Sequence, residues 1–106
     1  MVHEFTEANF QANVLNNGKP VLVKFWSQGC YPCKMMTPIV EQFAEKYQGK
    51  IVTGSVNVSS NMSLAMKYNI SGVPTTILFS SGKPAAKVVG YVDLEDLEDS
   101  FADFLV

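Results

Sequence analysis

Two cysteines with two residues between them, Cys30 and Cys33, are the only thiols in this 106-residue sequence. A pair at that spacing can hold a metal, close a structural disulfide, or carry electrons by cycling between dithiol and disulfide. The surrounding residues bear on the choice. The segment Trp26-Ser27-Gln28-Gly29-Cys30-Tyr31-Pro32-Cys33-Lys34 lies where the apolar run Val21 to Trp26 gives way to a helical pattern, so both cysteines are expected in the first turn of a helix. There, unpaired backbone N–H groups and the positive end of the helix dipole favour negative charge, which lowers a thiol's pKa and raises its thiolate fraction. Cys30, at the exposed end, is the expected nucleophile. Cys33 lies one turn deeper on the same face, placed to attack a mixed disulfide formed at Cys30. Pro32 suits that first turn, because its missing N–H would have no helical partner there.

The rival readings of the pair lack support elsewhere in the chain. A tetrahedral metal site needs four ligands, and outside the pair there is no other Cys and His3 is the only His, so no metal site is expected. His3 reads as an exposed terminal residue, and Met35-Met36 as helix packing. Two inert core cysteines would make both the spacing and the position at a helix start coincidental. Charged residues form 17% of the sequence, the formal net charge is -2, and all eight cations are Lys. That balance argues against a nucleic-acid surface, which needs a basic stripe, and leaves no Arg fork for phosphate or carboxylate. The longest apolar run is broken by Lys24 and is far shorter than the roughly 20 residues of a membrane span. The amino terminus, Met-Val-His-Glu-Phe, lacks the pattern of a secretory signal. A soluble cytoplasmic monomer is therefore expected, in a compartment where a close thiol pair is more often catalytic than structural.

Placing the pair requires a scaffold, and the 47% hydrophobic content suffices for one core, so residues 1–106 are read as a single domain. A first helix is expected over Glu7 to Asn17, capped by Thr6, with Phe10, Val14 and Leu15 on one face. Val21 to Trp26 reads as a strand buried on both sides, because its apolar residues scarcely alternate. Met36, Ile39, Val40, Phe43 and Tyr47 recur at helical steps and define the second helix, with Pro38 expected to kink it. Ile51 to Val58 is a strand, followed by a short helix carrying Leu64, Ala65 and Tyr68. Thr75 to Phe79 and Ala85 to Tyr91 are strands joined through Ser80 to Pro84, a stretch with hairpin chemistry. Asp93 caps a last helix with the apolar stripe Leu94, Leu97, Phe101 and Phe104 or Leu105. Its acids, Glu95 to Asp103, read as a solvated face. The order is βαβαβα and then ββα, an α/β fold with helices on both faces of a central mixed β-sheet.

The sequence resembles the thioredoxin family over essentially its whole length. The resemblance is carried by Val21-Leu22-Val23, Phe25-Trp26, Cys30-x-Pro32-Cys33-Lys34, Pro38, the run Tyr68 to Thr75, and Gly82 and Gly90. The low thiol pKa at such a helix start is itself known from thioredoxins. The likeness implies a thioredoxin-like three-layer sandwich and a redox-active Cys30–Cys33 disulfide that works with no bound cofactor. It implies that Pro74 carries a cis peptide bond facing the dithiol. It also implies that Val73 offers its backbone to an extended substrate, with Gly90 and Tyr91 as further substrate-binding residues, and that Trp26, Tyr31, Val73 and Tyr91 form an apolar rim for protein disulfides. An NADPH-dependent thioredoxin reductase is the implied electron donor, with a dedicated donor as the alternative. Two other activities remain open: a more oxidising disulfide oxidant or isomerase, and a non-enzymatic interaction or iron–sulfur-holding module using the same cysteines.

The chain also departs from that family. Gly29 stands where Trp is usual and Tyr31 where Gly is usual, so substrate choice does not carry over. Lys24 occupies the place of the family's buried aspartate, and Ser55 that of a partner lysine, so the usual proton relay does not carry over either. Lys24 either extends its ammonium to solvent or tunes the thiols from below.

Overall fold

A computed structural model describes residues 1–105. Strand β1 (His3–Glu4) leads through a turn to a π-helical segment, Gln11–Leu15, and then to β2 (Val21–Trp26). Helix α1 (Tyr31–Lys46), β3 (Val52–Asn57) and α2 (Met62–Lys67) follow, then β4 (Thr75–Ser80), β5 (Lys83–Val89), α3 (Leu94–Ser100) and a 3-10 turn, Ala102–Phe104. The five strands form one sheet in the order β1-β3-β2-β4-β5. β3 runs parallel to β1 and β2, whereas β4 is antiparallel to both β2 and β5.

The pleat of β2 divides the core. Val21, Val23 and Phe25 pack with Phe5, Phe10, Val14, Val56, Leu64, Ile77 and Phe79, beneath the π-helical segment and α2. Leu22 points the other way, to Met36, Ile39, Val40 and Phe43 of α1 and to Leu97 and Phe101 at α3. Because successive strand side chains alternate, Lys24 and Trp26 share the face of Leu22 and so lie under α1. The result is the three-layer α/β sandwich with helices on both faces that the sequence resemblance implies.

Several boundaries differ from the sequence reading, each for a physical reason. The first helix does not begin at Glu7, and Thr6 does not cap it. Instead the Asn9 side chain accepts the Thr6 N–H at 2.8 Å, while the Glu7 N–H donates to Asn61 Oδ1 at 2.9 Å, so Glu7 is tied to a segment 54 residues away rather than to a helix of its own. The hairpin is tighter than expected: Ser80 pairs with Lys83, leaving Ser81 and Gly82, both with positive φ, as a two-residue turn, the geometry that matches the twist of the flanking strands. Pro84 consequently lies within β5. An edge strand tolerates it, and the register shift opposite Leu78 and Phe79 marks a local bulge. β5 ends at Val89 instead of Tyr91, because Gly90 turns to φ 92°. Asp93 caps α3 as expected, accepting the Asp96 N–H at 2.9 Å, but the helix proper stops at Ser100. α1 continues unbroken through Pro38.

Candidate active site

β2 delivers the chain to the top of the sheet, and Ser27 to Gly29 turn it into α1. Gly29 has φ +81°, a conformation that side chains rarely adopt, which accounts for glycine directly before the first cysteine. Cys30 is itself the N-cap residue of α1, with extended backbone, and its sulfur accepts the Cys33 N–H at 3.2 Å. A sulfur thus does the work usually done by a Ser or Asp oxygen. Tyr31 and Pro32 fill the first turn. Cys33, 3% exposed, lies one turn in, while Cys30 remains half-buried.

The two sulfurs are joined in a disulfide with the Cα atoms 5.2 Å apart. Across from them, the carbonyl oxygen of Val73 stands 3.7 Å from Cys30 Sγ, and the Val73–Pro74 peptide bond is cis. Pro74 is in turn held by β5's end, its carbonyl accepting the Gly90 N–H at 2.7 Å. Val73, Pro74 and Gly90 therefore form one connected wall beside Cys30. Tyr31 is 71% and Tyr91 44% exposed, so both rings are presented to solvent, whereas Trp26 is half-buried.

Beneath the disulfide, a cavity of about 290 Å³ is lined by Lys24, Trp26, Cys30, Cys33, Glu41 and Ser55, among others. Lys24 is 6% exposed. Its Nζ donates to the Cys33 carbonyl and to Thr37 Oγ1, each at 3.4 Å. Burial pushes its pKa below the ordinary lysine value, an effect that the Glu41 carboxylate partly offsets. Thr37 and Glu41 were not singled out in the sequence. Their signal was helical spacing, since Thr37 lies four residues after Cys33 and Glu41 four after Thr37, on one face of α1.

Outside this site, a broader cleft is lined by Val58, Met62, Met66, Ile70 and Val73, with Met62 65% and Met66 75% exposed. His3 is exposed on edge strand β1, Met36 is fully buried and Met35 is exposed. Most acids of α3 face solvent, but Glu98 accepts from Tyr47 Oη and pairs with Lys46 at 2.6 Å. Among the described residues no group of three or more His, Cys, Asp or Glu side chains is gathered as a metal site, and no helix is long and apolar enough to cross a membrane.

A family model described as Thioredoxin matches residues 1–103. The thioredoxin of Alicyclobacillus acidocaldarius subsp. acidocaldarius is 42% identical over 100 residues, covering 94% of each chain. The thioredoxin of Porphyra purpurea is 36% identical over 104 residues, 98% of this chain and 97% of that one. A protein of Mycobacterium leprae named bifunctional thioredoxin reductase/thioredoxin is 39% identical over 87 residues, which make up 82% of this chain and 19% of the longer protein.

Proposed function

We propose, from the premise that this chain belongs to the thioredoxin family and is a thiol–disulfide oxidoreductase, that it reduces protein disulfides with Cys30 as attacking thiolate and Cys33 as resolving thiol. The observation that carries the assignment of roles is the asymmetry of the pair. Cys30 caps the helix with a half-buried sulfur, and Cys33 is buried behind it.

In the first step the Cys30 thiolate attacks one sulfur of the substrate disulfide. That bond breaks, a mixed disulfide forms, and the first substrate thiolate leaves and takes a proton. Cys33 then loses its proton and attacks Cys30 Sγ. The mixed disulfide breaks, the second substrate thiolate is released and protonated, and two electrons have passed from the dithiol to the substrate. The Cys33 N–H that donates to Cys30 Sγ is already aimed at the developing charge, as an N-terminal helix N–H should be.

Val73, Gly90 and Tyr91 form the proposed substrate surface, with Trp26, Tyr31, Pro32 and Pro74 supporting the dithiol. An extended segment can donate an N–H to the Val73 carbonyl while its own cysteine meets Cys30. The regenerating donor is a thioredoxin reductase, a choice supported by the fused relative's name. The site of action is the cytoplasm, where ordinary thiols stay reduced.

Trapping tests the division of labour. Cys33→Ser is expected to accumulate a mixed disulfide with a protein substrate, and Cys30→Ser to trap none, as read by mass spectrometry. Equal trapping by both variants would contradict the assigned roles.

A further inference from the structure

The cation beneath the dithiol has no use in the exchange steps as written, yet its placement is specific. Lys24 sits in the central strand of the sheet, directly between Ser55 of β3 and Thr76 of β4. Both neighbours carry small side chains. Lys24 as a whole is 6% exposed. Its ammonium ends at the carbonyl of Cys33 and the hydroxyl of Thr37.

Those two contacts are long and neutral, and among the described residues the one ion pair within 4.0 Å joins Lys46 to Glu98. Among the described residues Lys24 therefore has no contacting counter-charge, a costly arrangement for a buried cation unless a partner is supplied. Glu41 and Lys34 line the same cavity, but among the described residues no carboxylate lies within ion-pair distance of Lys24 Nζ. In the disulfide state neither sulfur can provide the missing charge. Reduction would change that, because Cys33 lines the same cavity as Lys24 and its carbonyl already holds the ammonium, so a Cys33 thiolate would bring an anion close to the cation.

We infer that Lys24 is a positioning residue for the thiol–disulfide reaction, whose ammonium stabilises the Cys33 thiolate and thereby sets the redox poise of the pair. The inference rests on the oxidoreductase reading above and adds to it a determinant that acts on the reduced state alone. Two consequences follow. Resolution is helped, because Cys33 must lose its proton before it can attack Cys30 Sγ. The reduced form is also favoured over the disulfide, so the couple is more oxidising than the same scaffold would be without the cation. The sense is opposite to that of a buried carboxylate at this position, which would oppose thiolate formation.

The groups facing Lys24 define the test. They are Cys30 at the cap of α1, Cys33, Lys34, Thr37 and Glu41 from the helix itself, and Ser55 and Thr76 from the flanking strands. Lys24→Met keeps the stem and removes the charge. Lys24→Gln also removes the charge but retains a donor for the Cys33 carbonyl and Thr37. Each is measured as intact folded protein for its equilibrium with a glutathione buffer and, in a Cys30→Ser background, for the pH titration of Cys33 by thiolate absorbance.

Both substitutions are expected to shift the dithiol–disulfide equilibrium toward the disulfide about tenfold, which is about 30 mV for a two-electron couple. Both should also move the Cys33 titration to higher pH. Wild-type equilibrium and titration in both variants would overturn the inference. Wild-type values in Lys24→Gln alone would overturn it too, because a hydrogen bond and not the charge would then be responsible. Wild-type turnover of a protein disulfide, run in parallel, tests the oxidoreductase reading separately: its absence would sink that reading whatever the Lys24 variants show.

Discussion

Whether the folded chain favours its disulfide or its dithiol can be read as a difference in stability. By a thermodynamic cycle, the gap between the unfolding free energies of the oxidised and reduced proteins equals the gap between the disulfide equilibria of the folded and unfolded chains. The Cys30–Cys33 bridge has a sequence separation of 3, so it closes a very small loop. Loop-closure entropy for such a loop stabilises the oxidised protein by about 2 kcal/mol at 25 °C. Opposing that, the reduced state gains whatever the helix N-terminus and Lys24 give to a thiolate. The oxidised protein is therefore expected to be the more stable form, by at most about 2 kcal/mol. With a urea dependence of about 2 kcal/mol per molar, the two midpoints would lie up to about 1 M apart. Urea titrations with and without a dithiol reductant measure this directly. Trp26, the single tryptophan, lines the same cavity as both cysteines and reports unfolding by fluorescence, with circular dichroism as a second probe. In Lys24→Met the gap should widen, since the reduced form alone loses a stabilising charge. A reduced protein as stable as the oxidised one, or more so, would refute the reasoning. It would show thiolate stabilisation outweighing loop closure, the mark of a disulfide oxidant and not of a reductase.

The rim gives two further expectations. Gly29→Trp installs the residue more usual in the family, but at φ +81° it should lower stability by about 1–2 kcal/mol, seen as a lower urea midpoint; an unchanged midpoint would show that the loop relaxes freely. Tyr31 is 71% exposed beside the dithiol, so Tyr31→Gly is expected to raise steady-state turnover by a conventional thioredoxin reductase, and equal turnover would remove Tyr31 from donor recognition.

What could be read from the sequence was whatever local spacing determines. Val21 to Trp26 announced a buried strand, and strand alternation put Lys24 on the face of Leu22 and Trp26, which only the family resemblance set beneath Cys33. Cys30 and Cys33 were legible as a pair at a helix start. The opening segment was not, because its conformation is set at a distance: the Glu7 carboxylate takes the Ser63 N–H at 2.9 Å and the Ser63 hydroxyl, while the Glu7 N–H goes to Asn61. β1 was implied by the element order but had no residues assigned, since two residues carry no periodicity and their pairing partners are Gly54 and Ser55. Gly54 has its own long-range reason: a Cβ there would lie 2.2 Å from the Phe5 ring. The approach of Val73 to Cys30 joins residues 43 positions apart, and only the family resemblance anticipated it.

Two backbone groups beside Cys30 Sγ act on it in opposite directions. The Cys33 N–H is a donor, and it favours the thiolate. The Val73 carbonyl at 3.7 Å presents partial negative charge, so it favours the protonated thiol, which can donate to it, and disfavours the thiolate. Under the proposed function, a substrate segment that donates an N–H to that carbonyl would withdraw part of this opposing charge at the moment of docking. The resting thiol would then be held partly protonated, and the productive complex would carry the stronger nucleophile. In the role inferred for it, Lys24 enters later and from the other side, its charge acting on the Cys33 thiolate while its ammonium is held at the Cys33 carbonyl. With Val73 and Lys24 in these proposed roles, the controls would be separated in space, attack governed at the Val73 wall and resolution from the sheet-facing side of α1.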